Sequence, residues 1–494
     1  MNYPFAPPRK PARFSPIIVL FFLALLPAAG LAYLWQFAHQ RIPKQSAASA
    51  TTDGETPATT VPVAPPALRT PILSVRRAPE TLAALSNTDA FRAALQGIAG
   101  FVDSTSCLVV SLNGKTVLDV GGDRAVVPAS NMKLLTAAVA LETLGADYTY
   151  TTSVKGAFAN GTVTGDLYLV GGGDPVLSTA AYPATQTHPP TSTTSLEQLA
   201  QNLVAAGVQR VTGTVVGDES RYDAERFVPT WGSDVPNLQA GPLGALMVND
   251  ATKKIGALPP QRYADPAIGA ATDFIAVLKA AGIKFGGGAP KNGVAPPDAA
   301  EIASIKSAPL AAIVGEMLNT SDDNTAELMV KEIGKHFDPA AGGNRLSGLD
   351  AVKRTLVTWG IDTQRLTLAD ASGLDASDTV TCNLILALLQ RPGVIAGPIG
   401  QSLPIAGQTG TLNDEFVGSP IAGRLHAKTG TLNSAKALSG YVSTNGGEID
   451  FSLILNTPGV GADPARAYVN IWASLANVFA AYPAGPTADQ IMPP

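Results

Sequence analysis

Three short polar motifs, far apart in the sequence, constrain the fold of this chain more than any other feature. They are SNMK at residues 130–133, SDDN at 321–324 and KTGT at 428–431. Lys133 is the only lysine with a serine three positions before it. A Lys-Thr-Gly triplet arises by chance in only about one in ten chains of this length. The motifs supply hydroxyls and amines, and a fold that uses them together must bring three distant segments to one place.

The first motif lies at the start of a predicted helix. Before it, segments 108–112 and 116–120 flank an Asn-Gly pair and predict a β-hairpin with a tight turn. Apolar residues then recur with helical spacing over 132–144. Because positions three apart share one helix face, the amine of Lys133 can reach the hydroxyl of Ser130.

The other two motifs also stand beside predicted regular structure. Ser321 opens a polar break between an amphipathic helix at 307–318 and a second helix at 326–333. Further predicted elements after the third motif are strands at 437–442 and 449–455, joined by an Asn-Gly-Gly turn, and an amphipathic helix at about 464–480. Helices packed on an antiparallel sheet predict the α+β class.

A long segment separates the first two motifs. Residues 152–306 alternate short β-like runs, such as 167–170 and 211–216, with Gly and Pro turns, and they carry predicted helices at 195–206 and 270–281. A compact single domain does not need so long a connection there. We therefore predict a large, mainly β inserted module that splits a catalytic domain into residues 80–151 and 307–494.

An anchor and a linker precede the predicted folded part. Basic residues within 1–16 come before an uncharged apolar stretch at 17–38, which is about long enough for a bilayer-spanning helix. Residues 39–79 are rich in Pro, Ala and Thr and predict a partly extended linker. Such basic residues favour a cytoplasmic 1–16 and an extracytoplasmic remainder. Small residues at 28–30 leave a cleaved signal peptide as the alternative.

Charge and composition argue against other function classes. The formal net charge of -5 comes without basic runs in the predicted folded part, which argues against a nucleic-acid partner. The four histidines and two cysteines form neither an H-x-x-x-H nor a paired C-x-x-C pattern. We therefore expect no metal and no cofactor.

The two cysteines lie on the extracytoplasmic side of the predicted membrane segment. Cys107 and Cys382 each sit in an apolar run, and neither has a catalytic neighbourhood. An oxidising compartment permits a disulfide between them. The apolar surroundings favour two buried free thiols, with the disulfide as the alternative.

With these motifs in order, the chain resembles the D-alanyl-D-alanine carboxypeptidase/endopeptidase family of low-molecular-mass class C penicillin-binding proteins. The resemblance covers about residues 82–481. It includes GDLYLVGGGDPVL at 165–177, DASGL at 370–374 and LPIAG at 403–407. It implies a penicillin-binding-protein/β-lactamase-like transpeptidase domain that is interrupted between the first two motifs. One departure is that counting back from Ala326-Glu327 puts Asp323, rather than Asn324, where the family has Asn. Asn324 is the alternative for this position if the turn is locally rearranged.

The resemblance implies a role for each motif residue. Ser130 is the expected nucleophile, and Lys133, as a neutral amine, its base. Ser321 relays a proton to the leaving group. Lys428 is the expected cation for a substrate carboxylate. The remaining expected substrate-binding residues are Asp323, Thr429, Gly430 and Thr431. The oxyanion hole implied by the family consists of the backbone N–H groups of Ser130 and Thr431.

The expected activity is that of a membrane-anchored serine D-Ala-D-Ala carboxypeptidase, with DD-endopeptidase action on crosslinks as an extension. Its expected partners are peptidoglycan peptides ending in D-Ala-D-Ala and β-lactams, which acylate Ser130. One alternative is a β-lactamase or esterase on the same scaffold. Another is a catalytically inactive cell-wall-binding anchor, in which Asp323 marks decay of the second motif.

Three further patterns compete with these assignments. His426 raises a Ser-His-Asp triad, although the chain has no G-x-S-x-G elbow. QTGTLN at 408–413 nearly repeats KTGTLN at 428–433 without the lysine, which favours a structural turn over a binding element. GGGD at 171–174 lacks the spacing of a phosphate-binding loop and is also predicted to be a turn.

Overall fold

The computed structural model describes residues 78–236 and 238–491. Its helices are α1 Pro79–Ala99, α2 Met132–Leu144, α3 Leu196–Ala205, α4 Pro266–Ala280, α5 Leu310–Thr320, α6 Asp323–Phe337, α7 Arg345–Thr358, α8 Cys382–Leu389, α9 Pro398–Ser402, α10 Tyr468–Ala481 and α11 Ala488–Ile491. Its strands are β1 Cys107–Leu112, β2 Lys115–Val120, β3 Thr151–Ala159, β4 Thr162–Val170, β5 Leu177–Ser178, β6 Thr194–Ser195, β7 Arg210–Val211, β8 Val215–Asp218, β9 Thr252–Lys254, β10 Gln261–Arg262, β11 Lys284–Phe285, β12 Lys291–Asn292, β13 Glu301–Lys306, β14 Leu425–Leu432, β15 Ala435–Thr444 and β16 Gly447–Leu455.

Five antiparallel strands form the sheet that carries the third motif, in the order β14-β15-β16-β1-β2. The predicted hairpin is confirmed: β1 pairs with β2 across Asn113 and Gly114, both of which have positive φ. This backbone conformation is the one that Asn-Gly pairs favour in tight hairpins. The sheet therefore joins two strands from the first part of the chain to three from the last.

Strand β1 is buried along its whole length because helices cover both faces of this sheet. Cys107 and Val109 belong to a core shared with helices α2, α5, α6 and α8. Leu108 and Val110 belong to a second core shared with α1 and α10. Alternate residues of a strand point to opposite faces, so a nearly continuous apolar run fits this position. Helices on an antiparallel sheet agree with the predicted α+β class.

Residues 151–306 build a second sheet of their own. Its main strand order is β11-β7-β4-β3-β13, with β8 pairing to β4 and β12 to β8. Strand β4 pairs in parallel with β7 and β8, whereas β3 pairs antiparallel to β4 and β13. Helices α3 and α4 pack against this sheet through Leu199 and Phe274. Because of these helices and parallel pairs, the segment is more mixed than the mainly β module expected from sequence.

A buried carboxylate ties this segment to helix α6. Glu332 accepts hydrogen bonds from the hydroxyls of Tyr148 at 2.7 Å and Tyr222 at 2.8 Å, and from Arg221 Nε at 2.9 Å. The guanidinium of Arg221 and these hydroxyls hold the pKa of Glu332 below its usual value despite its burial. Since α6 also carries Asp323, this ion pair connects the second sheet to the segment with the second motif.

The predicted N-terminal regions 1–16 and 17–38, and all but the last residues of the linker 39–79, lie outside the described residues. Within 78–236 and 238–491, no helix has both the length and the apolar character that a bilayer crossing requires. The anchor at 17–38 therefore stays a prediction.

Cys107 and Cys382 form a disulfide bond, with their Cα atoms 6.1 Å apart. The expectation of two buried free thiols is therefore wrong. Both residues are buried as expected, but α8 packs on β1 and brings together positions 275 residues apart. No local sequence pattern indicates that α8 packs on β1. The apolar runs around the two cysteines therefore predicted burial correctly but not the disulfide bond.

The double substitution Cys107→Ala/Cys382→Ala is expected to lower the free energy of unfolding by about 2–4 kcal/mol, because a crosslink restricts the unfolded chain. Urea denaturation of the protein measures this. A reducing agent should destabilise the wild type by a similar amount and leave the variant unchanged. Titration of two free thiols in the denatured, unreduced wild type would contradict the disulfide.

Candidate active site

Ser130 lies in a short 3₁₀ turn, Ala129–Asn131, that leads directly into helix α2. The side-chain amide of Asn131 donates to Ser439 Oγ of strand β15 at 2.7 Å, which fixes the turn to the sheet. Gly430 of β14 also lies against this turn, since a Cβ atom there would come 2.8 Å from the carbonyl oxygen of Pro128. Glycine is therefore required in the third motif for the strand to approach the serine.

Lys133 Nζ lies at the centre of the site and has three acceptors. They are Ser130 Oγ at 3.1 Å, Asp323 Oδ1 at 2.6 Å and the main-chain oxygen of Ser372 at 2.8 Å. The lysine is fully buried, whereas the Asp323 side chain keeps 19% of its exposure. An ammonium has three protons to donate, so this arrangement satisfies all of them.

Asp323, rather than Asn324, stands beside Lys133, as the count from Ala326-Glu327 predicted. Asn324 is buried on the other side of the helix start, where its side-chain oxygen accepts from the backbone N–H of Gly241 at 2.9 Å. Its amide nitrogen donates back to the Gly241 oxygen at 3.3 Å. The second motif therefore presents a carboxylate to the site in the position where the family has an amide.

Ser321 occupies the break between α5 and α6 in a left-handed conformation, with φ 65°. Its hydroxyl accepts a hydrogen bond from Lys428 Nζ at 2.8 Å. Lys428 also donates to the main-chain oxygen of Thr429 at 3.0 Å and is completely buried. Burial, followed by the nearby Lys133, holds the pKa of Lys428 well below its usual range, with Asp323 acting in the opposite sense.

These contacts give the two motif lysines different surroundings from those expected from the sequence, which assigned a neutral amine to Lys133 and a positive charge to Lys428. Asp323 Oδ1 lies 2.6 Å from Lys133 Nζ, so the expected base has a carboxylate neighbour that the expectation did not include. Lys428 has no carboxylate within ion-pair distance among the described residues and contacts two neutral oxygens.

The site opens into a cavity of about 340 Å³ that contains the hydroxyls of the third motif. Thr429 Oγ1 lies 2.7 Å from Thr411 Oγ1, and Thr431 Oγ1 accepts from Lys436 Nζ at 2.8 Å. The other lining residues are Ser130, Thr187, His188, Gln239, Thr320, Ser321, Asp323, Leu374, Glu415, Gly430 and Trp472. Each predicted motif hydroxyl and Asp323 therefore faces one cavity, with both motif lysines buried behind it.

Thr411 and Lys436 are site residues that the sequence analysis missed. Residues 410–412 do form the predicted turn, a 3₁₀ turn at Gly410–Leu412. That turn nevertheless puts Thr411 against Thr429, so the near-duplicate QTGT was a usable signal for a second threonine at the site. Lys436 lies opposite Thr431 in the register of β14 and β15, which only strand pairing reveals.

His426 does not complete a catalytic triad in the described structure. Its ring stacks on Tyr441 with centroids 4.9 Å apart. Its Nδ1 atom is buried and has no hydrogen-bond partner within 78–236 and 238–491. A triad histidine needs a carboxylate to orient its ring, and Nδ1 has none.

A buried glutamate supports the loop that holds Lys133. Glu327 Oε1 accepts from the backbone N–H groups of Ala371 at 3.0 Å and Ser372 at 2.8 Å. The Ser372 oxygen then accepts from Lys133. Burial and the neighbouring Asp370 raise the pKa of Glu327 to about 8. Glu327 of the Ala-Glu pair and the DASGL segment therefore together hold the Ser372 oxygen in position to accept the hydrogen bond from Lys133.

The raised pKa of Glu327 predicts a pH effect on stability. In the unfolded chain Glu327 loses its proton near pH 4.5, whereas in the native state it keeps the proton up to about pH 8. The free energy of unfolding contributed by the protonated Glu327 is therefore fully present below about pH 4.5 and is lost as pH rises through about 8. Glu327→Gln stays uncharged, so the wild type should lose about 1–3 kcal/mol relative to this variant between about pH 5 and 8. Urea unfolding across this range measures the difference.

The exposed Glu80→Gln substitution in α1 serves as the control and should run parallel to the wild type. Parallel curves for Glu327→Gln and the wild type would contradict a neutral buried Glu327.

Comparison with known proteins agrees with this geometry. Residues 102–262 and 256–477 match the D-Ala-D-Ala carboxypeptidase 3 (S13) family. A D-alanyl-D-alanine carboxypeptidase of Actinomadura sp. (strain R39) is 30% identical over 430 residues, which cover 71% of this chain and 77% of that protein. A carboxypeptidase of Mycobacterium tuberculosis is 31% identical over 363 residues, 71% of this chain and 75% of that one.

The fold is likewise similar to a solved penicillin-binding protein. Penicillin binding protein 4 from Haemophilus influenzae superposes with a TM-score of 0.63 at 19% identity, over 77% of this chain and 97% of that one. Its β-lactam complex gives a TM-score of 0.56 at 18% identity, over the same shares of each chain. Sequence match, fold and site geometry agree that this chain belongs to the S13 family of serine-type D-Ala-D-Ala carboxypeptidases.

Proposed function

We propose that Ser130 is the nucleophile through which this D-Ala-D-Ala carboxypeptidase cleaves peptidoglycan stem peptides. The contact of Lys133 Nζ with Ser130 Oγ, Asp323 Oδ1 and the Ser372 oxygen is the observation that carries the proposal. A serine hydroxyl needs a base to become an effective nucleophile at neutral pH. Lys133 is the amine within hydrogen-bond reach of that hydroxyl.

Lys133 acts as the base after it has released its extra proton. Asp323 Oδ1, 2.6 Å away, is the acceptor for that proton, and the product is a neutral amine beside a neutral carboxyl. Substrate that covers the cavity excludes water from it. The charged pair of Lys133 and Asp323 then loses solvation, so its free energy moves closer to that of the neutral pair. The amine then takes the Ser130 proton as the oxygen attacks the carbonyl of the penultimate D-alanine.

Ser321 and Lys428 form the second proton path. The Ser321 hydroxyl donates its proton to the departing D-alanine nitrogen and is reprotonated by the ammonium form of Lys428, whose Nζ lies 2.8 Å away. Burial lowers the pKa of Lys428, so its ammonium form gives up a proton more readily than that of an exposed lysine. A water molecule then attacks the ester on Ser130. Ser321 and Lys428 take up the proton of this water, and Lys133 returns a proton to Ser130 Oγ as the ester bond breaks.

The backbone N–H groups of Ser130 and Thr431 are the proposed oxyanion hole. The close approach that Gly430 permits between β14 and the serine turn supports this pair. Donors fixed by a sheet and a 3₁₀ turn stabilise the developing oxyanion without reorganising during the reaction. The hydroxyls of Thr429 and Thr431 bind the C-terminal carboxylate of the substrate on the same strand.

β-Lactams are proposed as inhibitors because their reactive carbonyl and carboxylate present the same two groups to the site. The similarity to a penicillin-binding protein solved with a β-lactam supports this proposal. Crosslinks that contain D-alanine fit the same chemistry, so we extend the proposal to endopeptidase action. The fold similarity to an endopeptidase of Bdellovibrio bacteriovorus, with a TM-score of 0.51 at 19% identity, is compatible with it.

We further propose an extracytoplasmic location with residues 17–38 as a membrane anchor. The uncharged apolar stretch after a basic start supports this, and the 39–79 linker then gives the enzyme reach into the wall. The Cys107–Cys382 disulfide fits an oxidising compartment. Retention in the membrane fraction after a salt wash supports the anchor, whereas a mature chain that lacks residues 1–30 identifies a cleaved signal.

Ser130→Ala is expected to abolish covalent labelling by a fluorescent penicillin and release of D-alanine from a D-Ala-D-Ala peptide, because no other hydroxyl contacts Lys133 in the described structure. Gel fluorescence and mass spectrometry of the labelled tryptic peptide measure it. Ser86→Ala, an exposed serine of α1, is the matched control and should label normally. Labelling without D-alanine release in the wild type would favour the β-lactamase or esterase alternative.

The Asp323→Asn variant is expected still to be acylated by a penicillin. The ratio of its acylation rate at about pH 6 to that at about pH 9 should be several-fold higher than in the wild type, because no carboxylate then stabilises the charged Lys133. Stopped-flow acylation by a penicillin across this range measures the profile. Asp338→Asn, an exposed aspartate at the end of α6, should leave the profile unchanged. If Asp323→Asn also left it unchanged, the ion pair would not control the base.

A further inference from the structure

Lys436 is a third lysine of the site, and its position is set by strand pairing. It lies on β15 directly opposite Thr431 of β14. Its side chain lines the same cavity as Ser130 and is only 9% exposed. Unlike Lys133 and Lys428, it stands on the cavity wall beside the hydroxyls proposed to bind the substrate carboxylate.

The ammonium of Lys436 has no anionic partner within 4 Å among residues 78–236 and 238–491. Its Nζ donates to Thr431 Oγ1 at 2.8 Å and lies 4.3 Å from the centroid of the Tyr468 ring and 5.2 Å from that of Trp472. The one carboxylate of the cavity wall besides Asp323 is Glu415, which is paired with Arg466. Buried charges in proteins are normally paired, so this part of the wall suits an anionic ligand.

Lys428 does not meet this need. Both of its contacts are to neutral oxygens, Ser321 Oγ and the main-chain oxygen of Thr429, and it is completely buried behind the cavity. Burial lowers its pKa, which weakens its hold on a positive charge. A lysine on the cavity wall is therefore better placed than Lys428 to pair with a substrate carboxylate.

We propose that Lys436 is the carboxylate receptor of the site: it pairs with the C-terminal carboxylate of the D-Ala-D-Ala substrate, or with the carboxylate of a β-lactam, together with the Thr431 hydroxyl. Lys436 donates to Thr431 Oγ1, so the hydroxyl proton of Thr431 is directed away from Lys436 and toward the ligand. The aromatic rings of Tyr468 and Trp472 hold the ammonium while the cavity is empty. This inference rests on the proposed function, because it names the group that selects the substrate's free carboxylate.

The test compares acylation of the full chain by a penicillin with acylation by the carboxylate methyl ester of that penicillin. The wild type should react faster with the acid. Lys436→Met and Lys436→Gln should slow acylation by the acid about 10- to 100-fold and leave the ester rate nearly unchanged. Lys436→Arg should restore most of the preference for the acid. Lys353→Met, an exposed lysine of α7, is the matched control and should retain the wild-type ratio.

The acid-to-ester ratio separates carboxylate recognition from a structural role. Equal slowing of acid and ester in Lys436→Met and Lys436→Gln would overturn the proposal, because it would indicate only a loss of packing around Thr431. An unchanged acid rate in either folded variant would overturn it as well. Unfolding midpoints in urea establish that each variant is folded. Absence of labelling of the wild type by both probes would instead overturn the proposed function itself.

Discussion

The fully buried amine of Lys133 is the constraint on which the rest of the site depends. Its three acceptors come from the serine turn before α2, from the first residue of α6 and from the loop at Ser372. A buried ammonium that loses an acceptor costs more than an ordinary hydrogen bond, so these three segments must stay together. Glu327 holds the loop, and Asn131 and Gly430 hold the turn against the sheet.

Three lysines surround one cavity, and their neighbours give them different properties. Lys133 faces a carboxylate, Lys428 faces only neutral oxygens in full burial, and Lys436 faces a hydroxyl and two aromatic rings. We propose that they serve respectively as a base, a proton carrier and an anion receptor, because burial and the nearest charge change the properties of an amine. Asp323 gives Lys133 a carboxylate neighbour at the position where the resemblance implied an amide.

The segment 151–306 contributes to the site although it carries none of the three motifs. Glu332 and Asn324 of α6 both contact it, the first through Arg221 and Tyr222 and the second through Gly241. Trp231 also donates from this segment to Asp370 of the DASGL loop at 2.8 Å. The helix and the loop that hold Lys133 are therefore themselves held from the second sheet, so changes far from Ser130 are able to alter the geometry of the base.

The sequence by itself determined the local elements: the hairpin at Asn113-Gly114 and the helix that carries Lys133. The distance from Ala326-Glu327 favoured Asp323 for the second motif but left Asn324 as an alternative. These follow from turn preferences, periodicity and spacing, which act over a few residues. Only the tertiary structure decided the Cys107–Cys382 bond, the place of Asp323 beside Lys133, the burial of Lys428, and the presence of Thr411 and Lys436 at the site. Each of these depends on burial or on contact between segments, and such proximity arises only when the chain has folded.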